Sequence, residues 1–135
     1  MPSLPLLTPQ IGIDGVEMRV TTRLGGVSRP PYDTLNLGDH VGDRAHHVLE
    51  NRHRVGGAIS GGAISWLRQV HGTHVVEATD GLVPEADGQW TMERHRPLAL
   101  LTADCLPILI GSYDGRVVAA IHAGWRGLLG GIVNN

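Results

Sequence analysis

Three side chains in this sequence have the chemistry of a metal site: His71 in RQVHGTH, Cys105 in TADCLP and His122 in AIHAGWRG. Each stands at the end of a strand-like segment, beside a turn residue. Strand ends are where open α/β sheets place ligands and catalytic groups. Two imidazoles and a thiolate suit Zn²⁺, and three protein donors leave a fourth position open, as in a catalytic zinc site. The same residue types permit a cysteine nucleophile, Cys105, with His122 or His71 as its base. Spacing alone leaves a third reading, in which the thiol is a small buried hydrophobe and the imidazoles are hydrogen-bonded supports. No C-x-x-C or H-E-x-x-H pattern decides among them.

Two further stretches suit an anion. In TTRLGGVSRPPY (21–32), the adjacent Gly25 and Gly26 can turn backbone N–H groups toward an anion, and Arg23 adds charge and a bidentate fork. The competing account is an ordinary glycine turn. HAGWRG places Trp125 and Arg126 at the first turn of a helix whose N-terminus would face the site. Asp104, next to the thiol, is a candidate on the substrate side of the site. It would orient an imidazole or form the turn.

The elements that must position these groups read as follows. VEMRVTTR (16–23) predicts a strand, and 24–43 is loop-like, with Gly, Pro, Asn and Asp at turn positions. Asp43 is the expected N-cap of a helix through RAHHVLENRHRV, fraying at Gly56–Gly57. GGAIS at 56–60 is repeated at once at 61–65, a duplicated linker whose copies could compete for register. ISWLRQV (64–70) and HVVEAT (74–79) predict strands, and 80–97 a long connection. LALLTAD (98–104), LPILIGS (106–112) and RVVAAIHA (116–123) have the apolar runs of buried strands, with an Asp-Gly turn between the last two. In WRGLLGGIVNN, the spacing of Leu128, Leu129, Ile132 and Val133 predicts one apolar helical face. No linker divides the sequence, and 1–135 reads as a single domain.

Composition bounds the function. The chain has 135 residues, 41% of them hydrophobic and 18% charged, which fits a globular domain. Its net charge of −2 gives no basic footprint for nucleic acid. No apolar run approaches the roughly 18 residues needed to span a bilayer, and the N-terminus lacks the charged start and apolar run of a signal peptide. With a single cysteine, no internal disulfide can form, so a reducing, cytoplasmic setting is expected. Phe is absent, aromatics make up 4% and there are 19 glycines, so the core must be built from Val, Ile, Leu and Ala.

In combination, TTRLGGVSRPPYDTLNLGDHVGD, LENR, WLRQVHG, TADCLPIL and AAIHAGWRGL resemble the YfiH-like family, also called the laccase-domain or multicopper polyphenol oxidase family. That family is described as purine nucleoside phosphorylase. The resemblance runs from about residue 18 to the last residue. It implies an α/β (α+β) fold, a mixed-sheet sandwich, and a zinc-dependent enzyme. Its partners would be phosphate and a purine nucleoside: adenosine, inosine, guanosine or methylthioadenosine. Adenosine deamination is a further activity of some members. The family's metal ligands fall on His71, Cys105 and His122. Arg23 with Gly25–Gly26 becomes the candidate phosphate site. Family chains are usually nearly twice this length, so the resemblance implies a partial domain without its C-terminal half. Exposed apolar surface near residues 98–133 is then expected, with self-association or low stability. The rival readings are a Cys105–His122 hydrolase, a copper-dependent polyphenol oxidase and an inactive metal-binding fragment. Copper is ranked below zinc because the chain has no His-x-His pair.

Overall fold

The computed structural model describes residues 3–135, which form two compact units. One runs to Ile11 and resumes over Glu17–Ser60; the other comprises Gly12–Val16 and Gly61–Asn135. The second boundary falls between the two GGAIS copies. The copies take different structures: the first closes a helix, whereas the second makes a turn and ends in a bridge from Ser65 to Leu98.

In the first unit β1 (Leu6–Leu7) pairs antiparallel with β2 (Val20–Thr21). The strand expected over 16–23 is therefore only two residues long. Its continuation is diverted because the Arg23 carbonyl accepts the N–H groups of Thr34 and Leu35, both at 2.8 Å. Helix α1 (Ala45–Ala58) follows a long loop and buries His47, Val48, Asn51 and Val55. The last three recur at the spacing of one helical face. Asp43 is not the N-cap. That place is taken by Arg44 in an extended conformation, with no side-chain cap. The Asp43 carboxylate instead accepts Ser28 Oγ at 2.6 Å, Asn36 Nδ2 at 3.1 Å and Arg44 N at 2.7 Å. Nor does the helix fray at Gly56–Gly57. It runs on to Ala58, although each glycine costs about 1 kcal/mol relative to alanine.

Asn51 ties the loop to this helix. Its side chain is fully buried, accepts Val27 N at 2.8 Å and donates to Ser28 Oγ at 2.9 Å and to the Asn36 carbonyl at 2.8 Å. A side chain on Gly26 would place its Cβ 2.1 Å from the Thr34 carbonyl oxygen and 2.5 Å from Asn51 Oδ1. Gly26 is thus required by the close approach of the loop to Asn51.

The second unit is built on a mixed four-stranded sheet in the order β3-β4-β6-β5. The strands are β3 (Val75–Glu77), β4 (Gly88–Thr91), β5 (Leu106–Gly111) and β6 (Val118–Ala123). β3 and β4 are parallel, and the other two pairs are antiparallel. This is an α+β arrangement, as expected. The β5–β6 hairpin turns at Asp114–Gly115, where Gly115 has φ +68° and no room for a Cβ against the Asp14 carbonyl.

Two expected strands are reduced and one expected connection contains a strand. Residues 64–70 make only single bridges, at Ser65 and Arg68. Residues 98–104 keep one bridge at Leu98. Beyond it the Gln69 amide pairs with the Leu101 backbone as donor and acceptor, both at 2.7 Å, and so takes the place of a neighbouring strand. The segment read as a connection, 80–97, contains β4. Its Gly88 serves close packing: an added Cβ would meet Val75 at 3.0 Å and Ile121 at 3.4 Å.

β5 is not a buried strand. It is the edge of the sheet, with Leu106 and Ile110 exposed, whereas β6 is flanked on both sides and buries Ala120, Ile121, His122 and Ala123. Ile121, Ala123 and Ile132 form the core of this unit, with Val75 and Ile108 packed against it.

Helix α2 (Trp125–Gly130) ends at Gly131, whose φ of +88° gives a left-handed cap before a 3₁₀ turn over Ile132–Asn134. That cap breaks the helical spacing. Of the expected apolar face only Ile132 is buried; Leu128, Leu129 and Val133 are exposed, as is Trp125. Apolar surface is therefore exposed within 98–133. Among the described residues no helix is long and apolar enough to cross a membrane.

Two outcomes follow for the first unit. Gly26→Ala should lower the thermal midpoint strongly, by more than the roughly 1–3 kcal/mol of ordinary overpacking, because the obstructing atoms include backbone. The Ser28 hydroxyl, with help from Asn36, the Arg44 N–H and His47, outweighs burial and lowers the Asp43 pKa from 3.8 to about 2. A depressed folded-state pKa stabilises above the unfolded value, and the contribution disappears as pH falls through the folded one. The protection of the α1 amides, corrected for intrinsic exchange, should therefore fall between about pH 4 and pH 2, and Asp43→Asn should flatten that dependence.

Candidate metal centre

The antiparallel pairing of β4 with β6 sets the floor of the site. Gly88 lies opposite Ile121, and the pairing continues one step beyond it, where His122 N donates to the Asp87 carbonyl at 2.7 Å. His122, near the end of β6, is thereby buried beside Asp87. Cys105 immediately precedes β5 and is delivered by the β5–β6 pairing, in which Leu106 faces Ala123. His71 comes from the turn between the Arg68 bridge and β3. It has φ +60°, a left-handed conformation in which His is several-fold enriched among non-glycine residues.

The sequence-predicted donors converge. The ligand atoms of His71, Cys105 and His122 all lie within 4.8 Å of one another. The two imidazoles meet edge to face, with centroids 4.9 Å apart. His71 is exposed, Cys105 half-buried and His122 buried, so the site opens to solvent on the His71 side. Gly124 forms a tight wall: a Cβ there would stand 3.2 Å from Cys105 Sγ and 3.4 Å from His71 Cδ2.

Asp87 was not anticipated. It is fully buried, and its Oδ1 lies 2.8 Å from His122 Nδ1. The carboxylate also accepts the backbone N–H groups of Val70 (3.2 Å), His71 (2.9 Å) and Gly72 (2.7 Å). Burial alone would raise its pKa, but the His122 contact and the three N–H groups together hold it below the ordinary value. Its Asp-Gly dipeptide reads as turn punctuation. The only contrary signal is the QWT that follows, which continues as strand.

The carboxylate in contact with the His122 imidazole is Asp87. Asp104 stands beside the sulfur, with Oδ1 3.8 Å from Sγ. Burial first, then the negative charge of Asp104, pushes the Cys105 thiol above its usual pKa. The Arg126 guanidinium is exposed and lies over the Trp125 ring, 5.2 Å from its centroid. Arg23, Gly25 and Gly26 belong to the first unit. There the Arg23 fork donates to the Asp33 carbonyl at 3.0–3.1 Å, and Gly26 N donates to Thr34 Oγ1 at 3.2 Å. Gly25 has φ +98°.

These residues fit a metal ion. The donors are two borderline nitrogens and one soft sulfur, and a buried carboxylate holds one imidazole by Nδ1 and leaves Nε2 as its free donor.

Comparison with known proteins assigns a family. Residues 17–135 match the family described as multi-copper polyphenol oxidoreductase laccase. The chain belongs to this family. It is 49% identical over 114 residues to a protein of Pseudomonas aeruginosa named purine nucleoside phosphorylase, covering 84% of this chain and 47% of that one. It is 46% identical over 123 residues to Escherichia coli YfiH, which bears the same enzyme name, covering 88% and 50%. Among solved structures, a Neisseria meningitidis protein superposes with a TM-score of 0.91 at 42% identity, covering 96% of this chain and 55% of that one. YlmD from Geobacillus stearothermophilus gives 0.83 at 34% identity, covering 95% and 56%. The chain spans about half the length of the curated relatives it matches.

Gly124→Ala tests the wall. The new methyl must displace the sulfur or the His71 ring by a few tenths of an ångström. Metal affinity, measured by competition with a chromophoric chelator, should fall about tenfold, the equivalent of about 1.4 kcal/mol.

Proposed function

We propose that this chain carries the metal centre of a zinc-dependent purine nucleoside phosphorylase. In that reaction a phosphate oxygen attacks C1′ of the ribose, the bond from C1′ to the purine nitrogen breaks, and the products are the free base and ribose 1-phosphate. The observation that supports it is the convergence of His71, Cys105 and His122 over a buried Asp87, in a chain whose relatives bear that enzyme name. A bound Zn²⁺ with three protein donors would supply a fourth, open position for an oxygen of phosphate, water or substrate. The chain's own residues supply the rest. Asp87 orients His122, Gly124 leaves room for the sulfur, and exposure of His71 gives the substrate access. The same centre would suit adenosine deamination, in which a water oxygen attacks C6 of the purine, the bond from C6 to the amino nitrogen breaks and ammonia leaves.

Arg23, in the first unit, is proposed as a phosphate-binding group; its guanidinium is exposed and pairs with Asp33. Asp104 and Arg126 are proposed substrate-side groups. The cysteine-hydrolase reading is the rival at the same residues, and the group beside Sγ at 3.8 Å is the Asp104 carboxylate rather than a cation that would favour a thiolate nucleophile. Copper is the second metal reading, favoured by the family's description and by the His₂Cys donor set.

Metal analysis after loading with zinc and copper together, followed by product analysis on inosine and adenosine with and without phosphate, tests the proposal. The expected result is one equivalent of zinc and hypoxanthine release that requires phosphate. Cys105→Ala should abolish both, and Arg23→Ala should raise the phosphate requirement more than the nucleoside requirement. Preferential copper uptake with phenol oxidation, or release independent of phosphate, would overturn it.

A further inference from the structure

The geometry points to Asp87 as a positioning residue that sets two of the three metal donors at once. It fixes the proton of His122 on Nδ1, which turns Nε2 toward the metal, and it holds the turn that projects His71. This inference rests on the metal-centre reading above.

An ionised carboxylate accepts only, through about four lone-pair sites. In Asp87 all four are filled. Oδ1 takes His71 N and His122 Nδ1, and Oδ2 takes Val70 N and Gly72 N. Three of these donors are backbone N–H groups, which cannot reverse their role. An acceptor with no proton to give requires the proton on the fourth, so His122 carries its hydrogen on Nδ1. Because one oxygen receives both the His71 backbone and the His122 ring, a shift of either donor moves the other. Asp87 is itself held by the β4–β6 pairing, through His122 N to its carbonyl, and by its own N–H to the His74 carbonyl at 3.0 Å. With no exposed surface, the carboxylate exchanges none of these partners for water.

Asparagine at this position offers one carbonyl oxygen and one NH₂ group. An NH₂ in the place of Oδ2 faces the Val70 and Gly72 N–H groups and loosens the turn that projects His71, whereas an NH₂ in the place of Oδ1 faces both the His71 N–H and His122 Nδ1. Gln89, two residues along and within β4, provides a contrast. It is equally buried, but it donates to the Ser65 and Ala99 carbonyls and touches no proposed donor.

The first test needs no substitution. Long-range ¹H–¹⁵N NMR of the metal-free protein at about pH 8, where an ordinary imidazole is neutral, should show His122 protonated on Nδ1 and bare on Nε2. The Nε2–H tautomer, or an even mixture, would overturn the inference. The second test titrates Co²⁺ alone and follows its thiolate charge-transfer absorption. Asp87→Asn should weaken Co²⁺ binding by about 10–100-fold. Gln89→Leu should lower the thermal midpoint and leave Co²⁺ affinity within about twofold of the unmutated chain. Equal losses of affinity in both variants would reduce Asp87 to a general support and overturn the role. If Asp87→Asn fails to fold, the tautomer in the unmutated protein decides. Absence of any Co²⁺ binding by the unmutated chain would instead remove the metal reading itself, a different failure from a wrong tautomer in a protein that binds.

Discussion

The site depends on the pairing that brings the start of β4 against the end of β6. It places a carboxylate with no exposure to water directly against the imidazole of His122. A charge in that position is tolerated only when fully hydrogen-bonded, since an unpaired buried carboxylate costs several kcal/mol. Three backbone N–H groups of the 70–72 turn and one ring nitrogen meet that requirement. The groups that satisfy Asp87 are thus the groups that carry two of the donors. Satisfying the charge and building the site are one event, and neither can be altered alone.

The same device recurs through the chain. Of the largest fully buried side chains, Ile132 is apolar, whereas Gln89, Asn51 and Asp87 are polar. Each joins segments that lack regular backbone pairing. Asn51 holds the loop 27–36 to its helix, Gln89 links Ser65 to Ala99, and Asp87 holds the 70–72 turn. A sequence without Phe and with few aromatics has little large apolar volume with which to fix long loops by packing. Buried amides and a carboxylate supply direction instead. Each hydrogen bond contributes only about 1 kcal/mol net, but an unmade one in such a place costs more.

The sequence made the donors legible because their residue types are rare and their neighbours are turn residues. Cys105 has no competitor in the chain, and His71 and His122 each precede a small or glycine residue at a strand end. β6 and the β5–β6 turn were legible for a similar local reason, an apolar run bounded by Asp-Gly. β4 was not. Its Asp87-Gly88 imitates a hairpin turn, but the glycine is there to admit Val75 and Ile121. Asp87 was missed with it, since nothing local distinguishes a carboxylate satisfied by residues 15–35 positions away. Residues 98–104 misled in the opposite sense: an apolar run that looks like a strand is held by the side chain of Gln69, which no hydrophobic pattern records. Asp43 misled because its expected cap position was outbid by Ser28 and Asn36 from the preceding loop.

The central claim is that His71, Cys105 and His122 hold one metal together. Zinc K-edge X-ray absorption on the loaded chain measures this directly. The expected first shell is one sulfur at about 2.3 Å and two nitrogens at about 2.0–2.1 Å, completed by one further light atom. A shell without sulfur, or one holding more than a single sulfur, would contradict it.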